Sequence, residues 1–191
     1  MKYKRLAWEL LRSRYWTVFV VTLIVVLIMG AGPVGFILGG PALVGYYAYL
    51  KKITMSQADG NHYHDVVTVA TSNRFVDYML THILKMIFTA LWTMLFFIPG
   101  IIKALAYSLS ERLLLEDPNL SAVDAITKSR EIMNGHKMEF FLLILSFLGW
   151  FILGALAFGV GILFVMPYFY MSVVAYQDEL IKGANLNLHT N

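Results

Sequence analysis

Three apolar blocks dominate this chain, Trp16–Leu50, Ile83–Tyr107 and Phe140–Tyr176, and two of them are too long to be single helices across a bilayer. At about 1.5 Å of rise per residue the first would make a helix of about 52 Å and the third one of about 55 Å, against a hydrocarbon core of about 30 Å. Both carry helix-breaking residues in the middle, Gly30-Ala31-Gly32-Pro33-Val34-Gly35 in the first and Gly154 with Gly159-Val160-Gly161 in the third. Glycine accepts turn conformations and proline starts a helix cheaply, so each block reads as a hairpin of two short spans.

The middle block is broken at Pro99-Gly100 and would make about 37 Å of helix, short enough for one tilted crossing. Charge distribution decides between one span and two. If Ile83–Ile98 crosses outward and Ile101–Leu115 returns, fourteen of the fifteen Lys and Arg lie on the cytoplasmic side and Lys103 alone lies outside. One crossing would instead divide them nine to six. The positive-inside rule favours two spans.

The expected architecture is therefore an all-α membrane protein, with six transmembrane helices as three consecutive hairpins. They cover about 16–50, 83–115 and 140–176, in a single polytopic domain over 1–191. Segments 1–15, 51–82, 116–139 and 177–191 are expected to be cytoplasmic, as are both termini. A composition 59% hydrophobic and 14% charged supports this, since soluble domains average about 25% charged. The basic start at Lys2, Lys4 and Arg5 followed by an apolar run imitates a signal peptide. No small-residue cleavage site follows, and a retained first span is expected. Residues 2–14 form an interfacial amphipathic helix on this reading, with Tyr3, Leu6, Leu10 and Leu11 on one face. A second short helix is expected over Ser121–Asn134, with Ser121 as N-cap and Val123, Ile126 and Met133 as its apolar face.

Chemistry has to come from the few polar residues. The chain has no cysteine, which excludes disulfides and thiol chemistry. Its net charge of +3 is too diffuse to indicate a nucleic-acid partner. His62-Tyr63-His64-Asp65 lacks the third and fourth ligands of a metal site and reads as a loop, so no cofactor or metal is expected. Ser110 and Ser146 have neither a nucleophile elbow nor a His-Asp pair, and no acid-base pair can be assembled, so the chain is not expected to be an enzyme. On a continuous helix after Pro99, Lys103, Tyr107 and Glu111 would share a face with Ser110, a polar stripe at membrane depth suited to a lipid headgroup. Lys103 would lie in the first turn of that helix, where the Gly100–Ile102 amides add to an anion site. Glu111 needs a cationic partner, and Arg130 on the inner-surface helix is the expected one.

Residues 98–179 carry a set of recurring pieces: Ile98-Pro99-Gly100-Ile101-Ile102-Lys103, Tyr107-Ser108, Ala125-Ile126 with Ser129-Arg130, Gly135 before Lys137, Leu145-Ser146-Phe147 with Gly149-Trp150, Gly159-Val160-Gly161 and Pro167-Tyr168. Together they resemble the second half of the DUF975 integral membrane proteins, a bacterial family common in Firmicutes. Gln177 stands where an aromatic residue is expected before the terminal acidic pair. The resemblance implies a multi-pass protein of a bacterial cell membrane and names no activity. A looser similarity of hairpin layout, to six-span domains found beside glycerophosphodiester phosphodiesterases, points toward lipid. The expected role is non-enzymatic: binding, moving or protecting against an amphiphile such as a lipid or lipopeptide, with membrane lipids as partners. An accessory subunit for another membrane protein is the alternative, and a membrane-embedded lipid-modifying enzyme a disfavoured second one.

Overall fold

The computed structural model describes residues 2–55, 64–95, 97–156 and 159–189. The described elements are all helical: α1 (Lys2–Leu11), α2 (Tyr15–Met29), α3 (Pro33–Thr54), α4 (His64–Ala70), α5 (Phe75–Leu95), α6 (Phe97–Ala106), α7 (Ser110–Glu116), α8 (Ala122–Ile132), α9 (Lys137–Leu145), α10 (Leu148–Leu156) and α11 (Val160–His189). Among the described residues, four stretches are long and apolar enough to cross a membrane: Pro33–Thr54, Phe75–Met94, Lys137–Leu156 and Val160–Ala184. The count becomes five if α1 and α2, bent by 104°, form one broken span.

Glycines set the turns in the first and third blocks. The chain leaves α2 at Met29, turns through Gly32 at φ 60° and re-enters helix at Pro33, whose fixed φ suits a first helical position. Before α11 it turns through Gly159 at φ 78°, a conformation that strains any residue with a Cβ. Chain neighbours pack together, α2 on α3, α5 on α6 and α10 on α11, while α3 also packs on α5 and α1 on α11.

The middle block departs from expectation. Pro99-Gly100 is not its turn, because α5 ends at Leu95, α6 begins at Phe97, and Pro99 and Gly100 both lie in the first turn of α6. Proline there sacrifices no helical hydrogen bond. Gly100 lets α6 press against α5, and a Cβ on it would stand 2.6 Å from Thr93 Cα. The return arm is also divided: α6 stops at Ala106 and α7 starts at Ser110. Ser129 of α8 fills the gap, donating to the Ala106 carbonyl at 2.7 Å and accepting from the Leu109 amide at 3.1 Å. One hydroxyl thus satisfies two of the backbone groups that a helix break leaves free.

The short helices follow their sequence signals in part. Ser121 caps α8 by accepting from the Asp124 amide at 3.2 Å. Its buried face is Ala122, Ala125, Ile126 and Ser129, with Met133 just beyond the helix, while Val123 points outward. In α1 the packed residues are Ala7 and Leu11, with Tyr3 edge-on to Tyr176 of α11 at 5.0 Å, whereas Leu6 is exposed. That helix therefore lies on protein along one side. Many large apolar side chains stay exposed, including Trp16, Val20, Ile24 and Leu27 on α2 and Trp150, Leu153 and Leu156 on α10. Such a surface suits lipid contact.

Candidate functional site

The polar core is built from α7. Glu111 and Arg112 are both fully buried, and neighbours on a helix point about 100° apart, so they serve two different sets of partners. Glu111 faces α5, where its Oε1 is ion-paired with Lys85 and lies 3.4 Å from His82 Nδ1. Its Oε2 is buried without a partner. Arg112 faces α3 and α11, forming an ion pair with Asp178, a second with Glu116 at 3.4 Å, and a bond to the Tyr47 carbonyl. Lys51 neutralises Glu116 from α3, and Thr54 donates to Asp178 at 3.1 Å. Three cations and three carboxylates from α3, α5, α7 and α11 are thereby matched, as buried charge requires. Arg74 closes the lower end of α7 by donating to the carbonyls of Leu114 at 2.6 Å and Asp117 at 2.8 Å and to that of Leu120.

Beside this network lies a cavity of about 890 Å³ between α3, α5, α6, α9 and α11. Its walls are apolar, including Phe36, Met86, Ile101, Phe140, Phe141, Ile144 and Phe169. Polar groups enter from Tyr47, Lys85, Thr89, Thr93, Ser108 and Gln177. Lys85 is thus shared between the cavity wall and Glu111. Gln177 donates its amide to the Ser108 carbonyl at 3.1 Å, while its own Oε1 is buried and unpartnered. A large apolar volume with a few fixed polar groups is the usual form of a small-molecule site.

The expected polar stripe is dispersed by the break between α6 and α7. Lys103 lies in the last turn of α6, where a cation complements the helix dipole, and stands over the Trp92 ring at 4.6 Å. It is not a first-turn residue, and of Gly100–Ile102 only Gly100 lies in the first turn of α6. Tyr107 is buried beside Phe88 and Ile126. Ser110 turns back onto the Tyr107 carbonyl at 2.7 Å. Glu111 and Arg130 do not pair: the nearer cation on α5 takes the carboxylate, and Arg130 is exposed at a second, smaller cavity with Lys103. From sequence alone His82 and Lys85 are given no role, and Gln177 and the acidic pair after it are noted only as a departure from the family pattern. Their signal was their place at the margins of apolar blocks, where an ionisable or amide side chain needs a partner. Part of His62-Tyr63-His64-Asp65 lies outside the described residues, and no group of three His, Asp or Glu among the described residues could hold a metal.

Fold and site together define an all-helical protein with several helices capable of crossing a membrane, organised around a buried ionic network and an apolar cavity. Residues 95–183 match the family described as "Protein of unknown function (DUF975)", and the DUF975 assignment rests on that segment. No curated protein and no solved structure matches the chain.

Proposed function

We propose that this chain is a non-enzymatic, multi-pass protein of a bacterial membrane that takes the apolar part of one amphiphile into the large cavity. The observation that carries this reading is the cavity itself, about 890 Å³ of mostly aromatic and aliphatic lining, with polar groups that include Lys85, Tyr47, Ser108 and Gln177. Because Lys85 is already matched by Glu111, these groups offer little net charge. Among them the Gln177 Oε1 is an unmet acceptor, which suits a head carrying a hydroxyl or amine donor. Native mass spectrometry of the purified protein tests this. The wild type should retain an amphiphile, and Ala104→Trp, which fills the cavity from α6, should lose most of it while keeping its helical circular dichroism. Equal retention in the two proteins would end the proposal.

The same reading places six spans in three hairpins with both termini cytoplasmic. The pairings α2–α3, α5–α6 and α10–α11 support it, although α6 and α7 share the fourth span. Lys103, which that topology assigns outside, instead lines a cavity with Arg130 and Lys137 from a segment assigned to the cytoplasm, so it does not sit on the outer face. With no native cysteine to remove, Ala31→Cys and Val160→Cys should react with an impermeant reagent on intact cells, and Val123→Cys only after permeabilisation. Labelling of Val123→Cys from outside would overturn this topology.

A further inference from the structure

The second cavity, about 300 Å³, opens where α6 meets the end of α8 and the start of α9. Lys103, Arg130 and Lys137 line it from three different segments, with Asn134 as a further donor and Glu131 as the one carboxylate. Arg130, Lys137 and Glu131 make no ion pair among the described residues, unlike the matched charges around Arg112. Three cations gathered around one carboxylate in a space that size leave an excess of positive charge with nothing opposite it. We infer that this cavity binds a phosphate group, with Arg130 and Lys137 as its principal charge partners and Asn134 as a neutral donor.

The surroundings favour a phosphate attached to a lipid. Ile102 lines the cavity, and Ile98, one turn away on the same face of α6, is among the most exposed apolar residues of the chain. Met138 and Leu142, one turn apart on the helix that starts at Lys137, are exposed as well. A space of 300 Å³ accommodates a headgroup, and acyl chains would lie along those exposed residues. Arginine and lysine beside an apolar face are the usual recognition elements for an anionic headgroup. The site is separated from the large cavity by α6, so it stands whether or not that cavity takes an amphiphile.

The test is thermal unfolding of the full chain in a neutral detergent with phosphatidylglycerol, phosphatidylcholine or water-soluble glycerol phosphate added. Phosphatidylglycerol should raise the wild-type midpoint more than phosphatidylcholine does, because a ligand that binds only the folded state stabilises it by mass action. The difference should fall by at least half in the double variant Arg130→Gln/Lys137→Gln. It should persist in Arg5→Gln/Arg12→Gln, which removes the same charge from exposed positions on and just after α1. Glycerol phosphate that shifts the wild type and not the Arg130/Lys137 variant would support the phosphate site with a soluble ester as its source. An equal phosphatidylglycerol effect in all three proteins would overturn the proposal. Ala104 lines only the large cavity, and Arg130 and Lys137 only the small one, so loss of amphiphile in Ala104→Trp and loss of phosphate response in the double variant are read from different residues.

Discussion

Arg112→Met is expected to destabilise the protein by about 3–5 kcal/mol, the cost of leaving a buried partner charge unmatched. The side chain is fully buried and touches α3, α7 and α11 at once, through the Tyr47 carbonyl, Glu116 and Asp178. Methionine keeps most of the volume and removes the charge, so packing loss contributes little. What remains is Asp178, largely buried and left with Thr54 as its only other partner among the described residues. Asp178→Asn in the Arg112→Met background should therefore recover a substantial part of the loss, whereas Glu116, which keeps Lys51, needs no compensation. Reversible unfolding in mixed micelles, read by circular dichroism, gives the four corners of the cycle. Strictly additive effects would show that the two side chains act independently.

The second large effect is expected at Gly40, where α3 crosses α5. A Cβ added there would collide with the Tyr78 carbonyl and come within 2.7 Å of His82 Cβ. Backbone cannot yield as a flexible side chain can, so the helices would have to separate, and the cost of such overpacking is about 1–3 kcal/mol. Gly40→Val should reach the top of that range, because it also displaces His82 from Glu111. Gly183 provides the control. Nothing lies within 4 Å of its Cβ position, so Gly183→Ala should be neutral or stabilising, by up to about 1 kcal/mol. If both substitutions behaved alike, close α3–α5 contact would not be what Gly40 provides.

The turns at Gly32 and Gly159 and the cap at Ser121 were legible in the sequence because each depends on a local rule: a positive φ, a proline at a first helical position, a hydroxyl three residues before an amide. The break after Ala106 was not, because it is held by Ser129 from another helix, and nothing in Tyr107-Ser108-Leu109 forbids a continuous helix. That one omission misplaced the site. With α6 and α7 as a single helix, Lys103 and Glu111 share a face; with the break, Lys103 lines the smaller cavity and Glu111 is buried against Lys85 of α5. The choice of Arg130 for Glu111 failed for a related reason. Periodicity gives the face of a helix but not the distance between faces, and Lys85 on the neighbouring arm is simply nearer.

The ten residues of α6 form part of the wall of both cavities: Ile101, Ala104 and Leu105 face the large one, Ile102, Lys103 and Ala106 the small one. A partition common to two compartments has one position at a time, so space gained on one side is taken from the other. Its lower end is moored through the Ser129 hydroxyl and its upper end through Gly100 on Thr93. Any occupant that shifts α6 thereby changes the room left for a second, and thermodynamic linkage makes that influence equal in both directions.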